Sequence, residues 1–220
     1  MYLTRFDINP ARRHAKTLLG SPQAMHAAVL HSFPPSTPES NPAGRVLWRL
    51  DRGDHRTQLY ITSPQAPDLT HLVEQAGWPT TSAWQTRDYR PLLNRLAPGQ
   101  RWAFRVAANP SHSVRTNDSQ QHTKPTAHVT VAHQESWLLQ RAAARGFRIV
   151  DDPQGHPSLT VRDRTVLRFG RHGKTVTVSR AVFDGELEIT DADLIRELLT
   201  HGLGRAKAYG CGLLTLAPVP

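Results

Sequence analysis

The chain has 220 residues, a net charge of +9 and one cysteine, Cys211. That length suits one large domain or two small ones, each with its own core. A lone cysteine excludes an internal disulfide, no window approaches the roughly 18 apolar residues of a membrane span, and no apolar leader precedes the first strand-like residues, so the expectation is a soluble, cytoplasmic protein. The charge is unevenly spread. Tyr89–Gln134 holds one acid, Asp118, against six Lys/Arg, and Pro153–Phe183 holds one, Asp163, against six. Acids gather instead at Asp184–Glu197, and none follows His201. Clustered cations favour a polyanionic partner such as nucleic acid.

In chain order, Tyr2–Ile8 reads as a strand ended by Asn9-Pro10. Ser21-Pro22 signals a helix start, with Ser as N-cap and Pro at the first helical position. That helix runs to about Phe33 and carries His26. Pro34–Gly44 is a Pro/Ser/Asn-rich loop. Val46–Leu50 and Gln58–Thr62 form a hairpin. Pro67–Ala76 is a short helix stopped by Gly77. Gln100–Ala108 alternates around Trp102, Phe104 and Val106, the pattern of a half-buried strand.

The second half repeats the order. Ser111–Pro125 is polar and aperiodic, a linker. His128–Ala132 is a strand, Glu135–Arg145 a helix stopped by Gly146, and Phe147–Val150 a strand. Ser158–Ile189 holds strand-like runs around the turn Gly170–Gly173. Asp191 caps a helix to Thr200, and Cys211–Ala217 is the last strand. Both halves thus read β-α-β-β-α-β. The fold class expected is α+β, two tandem ferredoxin-like domains with an inserted basic β-hairpin in the second. The expected boundaries are 1–110, a linker at 111–125, and 126–220.

His201–Pro218 places Gly202, Gly204, Gly210 and Gly212 around Arg205 and Lys207. A glycine-rich turn with cations and no acid is a backbone cradle for a polyanion or a helix-to-strand connection. It is neither a dinucleotide fingerprint, since Lys207 stands at the third glycine, nor an NTPase loop, since Gly-Lys-Ser/Thr is absent.

The segment GLGRAKAYGCGLLTLAP resembles the C-terminal glycine-rich loop of the CasE-type CRISPR repeat endoribonucleases, the RNA-processing subunit of type I-E Cascade in the RAMP superfamily. MYLTRF, MHAAVLHSF, FRVAANP, the WLLQR helix and FDGELEI resemble that family in the same order, so the resemblance covers nearly the whole chain. It implies tandem ferredoxin-like domains. It implies metal-independent cleavage of precursor RNA at the base of a repeat stem-loop, by 2′-hydroxyl attack that leaves a 2′,3′-cyclic phosphate. The family's catalytic histidine maps onto His26. A tyrosine common three residues earlier is replaced by Gln23, which donates hydrogen bonds but is no acid. The implied partners are the precursor repeat hairpin, the mature guide RNA and other Cascade subunits. No membrane, small-molecule substrate or cofactor is implied.

The residues are compatible with that chemistry. Histidine accepts or donates a proton near neutral pH, and such a group supplies about 10²–10⁴-fold. His26 is otherwise a packing histidine beside Met25, Val29 and Leu30. A metal nuclease is disfavoured by ligand inventory: Asp151-Asp152 is the one acidic doublet, His-Glu-x-x-His is absent, and one cysteine excludes a cysteine zinc site. Arg162, Arg164, Arg168, Arg171 and Lys174 on the hairpin before Ala181 are the candidate RNA contacts, against the alternative of a solvated edge. Arg205 and Lys207 either contact RNA or support the helix that carries His26. The tryptophans read as core. The competing function is a non-catalytic RNA-binding scaffold of the same fold. A DNA-binding regulator lacks a helix-turn-helix or zinc pattern.

Overall fold

The computed structural model describes residues 1–35, 38–79, 84–115, 123–171 and 174–219. Two compact units emerge, and they are not simple halves. The first comprises Met1–Leu96 and Arg196–Leu213; the second, Ala97–Ile195 and Leu214–Pro220.

The first unit contains β1 (Tyr2–Ile8), α1 (Arg13–Gly20), α2 (Pro22–Leu30), a small ribbon of β2 (Ser40–Asn41) and β3 (Gly44–Arg45), β4 (Leu47–Arg52), β5 (Thr57–Ser63), α3 (Thr70–Ala76), β6 (Trp84–Asp88) and α4 (Arg90–Arg95). Its sheet is antiparallel, in the order β4-β5-β1-β6. With the four main strands numbered along the chain, the order is 2-3-1-4, the ferredoxin-like arrangement. Alternation in β1 puts Phe6 and Ile8 on the core face, where Leu18, Met25, Val29 and Leu72 from the helices meet them. Complete burial of each such side chain contributes about 1.5–3 kcal/mol. The edge strand β4 is buried at Leu47, Trp48, Arg49 and Leu50 alike. Adjacent strand residues point to opposite faces, so both faces of this edge are covered.

The second unit contains β7 (Arg101–Ala108), β8 (Ser111–Arg115), β9 (Thr123–Ala127), α5 (Val131–Ala142), β10 (Phe147–Ile149), β11 (Leu159–Arg171), β12 (Lys174–Ile189) and β13 (Leu214–Ala217). Its second helix, α6 (Ala192–His201), begins here and runs into residues of the first unit. The main strands run β10-β12-β7-β13, again 2-3-1-4. Strand β11 pairs with β12 beyond β10 and forms the inserted hairpin, with a bulge between Arg162 and Thr165. Phe183 stacks on Trp137 of α5, 6.1 Å between ring centroids. Gly146 ends the α5 region at φ 76°, and Asp191 Oδ1 accepts the amides of Asp193 and Leu194 at 2.9 and 3.0 Å, as the glycine stop and acidic cap predict.

Several expectations require correction. Arg101–Ala108 does not close the first domain. It is the central first strand of the second sheet, so the boundary moves from 110 to 96/97. The first unit's fourth strand is β6, Trp-Gln-Thr-Arg-Asp, an edge strand with no buried residue and hence no hydrophobic alternation to read. The expected linker includes β8, which pairs with β9 as a separate ribbon; positions 116–122 lie outside the described residues. His128–Ala132 is not a strand, because Thr130 caps α5 through a 3.3 Å bond from the His133 amide. Helices α1 and α4 were not anticipated. Among the tryptophans, Trp48 and Trp137 are core, but Trp78 is 43% exposed.

Candidate active site

The helix α2 starts as its sequence predicts. Ser21 Oγ accepts the Ala24 amide at 3.2 Å, and Pro22 occupies the first turn. Met25, Ala28 and Val29 form its buried stripe. His26 sits one position off that stripe, with 19% of its side chain exposed. A histidine so placed is held by packing on one side and reachable from solvent on the other. Gln23 is exposed, one turn nearer the helix start.

A carboxylate faces the imidazole. His26 Nε2 lies 3.9 Å from Glu39 Oε1, and Arg45 Nη2 donates to that same oxygen at 2.6 Å. The β2/β3 ribbon positions both partners, and the Val46 amide donates to the Glu39 carbonyl at 2.8 Å. Neither Glu39 nor Arg45 was singled out from sequence. They lie in or beside a Pro/Ser/Asn-rich stretch that reads as plain loop, and an acid and a base six positions apart in a loop carry no periodic signal.

The glycine-rich segment meets the same helix. Gly202, Gly204, Gly210 and Gly212 all take φ between +72° and +95°. At Gly210 a Cβ would lie 2.6 Å from Trp48 Cζ3, and at Gly202 2.9 Å from the Leu47 methyls. Leu47 and Trp48 point to opposite faces of β4, so the segment wraps that edge. Arg49, 2% exposed, secures its end: it donates to the Leu213 carbonyl at 3.0 Å and forms a bidentate pair with Asp51 at 2.7 and 2.9 Å. The 3-10 turn Lys207–Tyr209 packs on α2. Lys207 is half-buried, its Cγ over Gly212, whereas Arg205 is exposed. The loop therefore lies on β4 by close backbone approach and on α2 through its 3-10 turn.

The hairpin cations fall into different environments in the second unit. Arg162 Nε donates to Asp184 Oδ2, and Arg105 binds the same carboxylate at 2.6 and 3.1 Å. Arg164 donates to the Val129 carbonyl. Arg168 is exposed on β11, opposite Thr177 of β12. Arg171 and Lys174 pair through their backbones at the hairpin tip; their side chains lie outside the described residues. No described helix is long and apolar enough to cross a membrane.

Residues 1–218 match the family described as CRISPR associated protein. The CRISPR-associated endoribonuclease Cse3 of Thermus thermophilus is 31% identical over 226 residues, covering 99% of this chain and 100% of that protein. The CRISPR system Cascade subunit CasE of Escherichia coli K12 is 30% identical over 185 residues, covering 79% of this chain and 89% of that one. Among solved structures, the CRISPR endoribonuclease Cse3 bound to a 19 nt RNA matches with a TM-score of 0.82 at 30% identity, over 99% of this chain and 100% of that chain. The likeness thus spans both compact units, the α2 helix and the glycine-rich segment, and the chain belongs to the CRISPR-associated protein family.

Proposed function

We propose that this chain is a metal-independent endoribonuclease that binds the stem-loop of a CRISPR repeat in precursor RNA and cuts at its 3′ base. The observation that carries this reading is the placement of His26. It stands half-buried beside Glu39 on a helix braced by the glycine-rich loop, in a chain 31% identical over its length to an endoribonuclease. The nucleophile is the substrate's own 2′-hydroxyl, so no metal-bound water is required. Its oxygen attacks the adjacent phosphorus as the bond to the 5′-oxygen breaks. The 2′-proton leaves to a base, and the departing 5′-oxygen takes a proton from an acid. His26 serves as one of these groups. The products are a 2′,3′-cyclic phosphate and a 5′-hydroxyl. In-line restraint of the scissile nucleotide by the bound stem supplies much of the remaining rate.

Arg168, Arg171 and Lys174 on the hairpin, with Arg162 and Arg164 at its base, are proposed to follow the phosphates of the A-form stem. Arg205 and Lys207 add positive charge to the braced loop. The matured guide RNA stays bound, and the protein works in the cytoplasm with the other subunits of Cascade; the likeness to the Cascade subunit CasE supports that setting. The test is cleavage of a cognate repeat hairpin in EDTA. Wild-type protein cuts; the His26→Ala variant binds without cutting. Gln23, exposed where a phenol is common in the family, favours one second reading, a non-catalytic RNA-binding scaffold. A wild-type protein that binds the hairpin but never cuts it would establish that reading.

A further inference from the structure

In the second unit, three histidines from three places in the chain converge. His112 lies on β8, His128 just after β9, and His133 in the first turn of α5. The rings of His112 and His128 are 4.6 Å apart between centroids and tilted by 37°; those of His128 and His133 are 5.9 Å apart. The platform beneath them is hydrogen-bonded. Trp137 Nε1 donates to the Ser111 carbonyl at 3.2 Å and Gln134 Nε2 to the His128 carbonyl at 2.9 Å, so the β8/β9 ribbon is clamped onto α5. Trp137 and Gln134 are buried there, whereas His112 and His133 are exposed and His128 is half-buried.

The surroundings are cationic. Arg164 reaches from β11 to the Val129 carbonyl, beside His128. Arg141 lies over the Trp137 ring, 4.6 Å from its centroid. Burial holds the His128 pKa below the usual histidine range, and His112, His133 and Arg141 push it in the same direction. None of the described groups acting on His128 is a carboxylate. These surroundings therefore oppose protonation of His128. An anion placed among the rings removes that opposition, so anion and protons bind together. A metal fits poorly: no group of three or more described His, Cys, Asp or Glu is spaced to hold one. Both acid-poor stretches meet here, since Tyr89–Gln134 contributes the histidines and Pro153–Phe183 contributes Arg164.

We propose that His112, His128 and His133, with Arg164, form a proton-linked phosphate-binding site for the RNA backbone, distinct from His26. The proposal rests on the RNA-binding reading above. A phosphodiester carries one negative charge per nucleotide, which a cluster of shared protons and one guanidinium matches without a metal.

The experiment measures equilibrium binding of the repeat hairpin, with its flanking nucleotides, to full-length His26→Ala protein in EDTA at constant salt. Affinity is expected to fall about tenfold between pH 6 and pH 8, and the salt dependence to be steeper at pH 6. Replacing all three histidines by glutamine is expected to remove most of that pH dependence. Equal pH dependence in parent and triple variant overturns the proposal. Because the triple variant can misfold, the imidazole of His128 is also followed by NMR in the parent. Its pKa should rise when RNA binds; no rise, or a rise with inorganic phosphate but not with RNA, overturns the assignment. A parent that fails to bind RNA at pH 8 defeats the proposed function itself, a different outcome from loss of the pH dependence alone.

Discussion

His26 Nε2 lies 3.9 Å from Glu39 Oε1, and that oxygen is held by Arg45 at 2.6 Å. The arrangement gives the imidazole a carboxylate neighbour whose charge is partly offset by a guanidinium. The Glu39–Arg45 ion pair therefore places a carboxylate beside the imidazole from a segment of the chain outside α2.

Replacing His26 by Ala should lower single-turnover cleavage by about 10²–10⁴-fold, the range of a single acid-base group. Hairpin affinity should stay within about twofold, because one half-buried imidazole contributes little beside many phosphate contacts. Gel-based cleavage and filter binding at one pH separate the two effects.

Glu39→Gln removes the carboxylate but keeps the side-chain shape. Single-turnover cleavage should fall about tenfold, and Arg45→Ala, which removes the donor to that carboxylate, should lower it by a similar factor. Matching losses in the two variants, with hairpin affinity kept, are the signature. Unchanged cleavage in both would show that Glu39 and Arg45 only shape the loop.

Gly210→Ala tests the brace. The position has φ 76°, and the new Cβ would meet the Trp48 ring at 2.6 Å. The expected destabilisation is about 1–3 kcal/mol from backbone strain and overpacking. Urea unfolding reads the stability, and cleavage should fall further than RNA binding as α2 loses its support.

Arg49→Ala leaves Asp51 without its buried partner and the Leu213 carbonyl without its donor. Breaking such a pair costs about 3–5 kcal/mol, enough to threaten folding at physiological temperature. Thermal melting of the variant against wild type measures the loss.

His128 makes stability depend on pH with a definite sign. Its folded-state pKa is depressed, so the unfolded chain binds more protons in the window just below the model-peptide value of 6.5. Stability should therefore be greatest above that window and decline as pH falls through it. His128→Gln should flatten this part of the melting-temperature profile. An unchanged slope would place the titration elsewhere.

How far the sequence leads differs from feature to feature. The Ser21 cap, the Asp191 cap and the Gly146 stop are legible because each acts on its own neighbours. The alternation of β1 and β7 marks half-buried strands for the same reason. Strand β6 was missed because it is a polar edge, and assigning β7 to the first domain followed from that miss. The hairpin cations were visible as residues, but the Asp184 that binds Arg162 and Arg105 lies 22 and 79 positions from them.

By itself, then, the amino-acid order determined the two β-α-β-β-α-β units, the helix that carries His26 and the glycine loop near the end, since periodicity, capping and positive-φ residues act over a few positions. Tertiary structure alone decided which edge the loop wraps, that Glu39 faces His26, and that His112, His128 and His133 share one surface. These are contacts between segments far apart in the chain. They depend on sheet order and on the docking of loops and ribbons onto helices, which spacing along one strand of sequence does not encode.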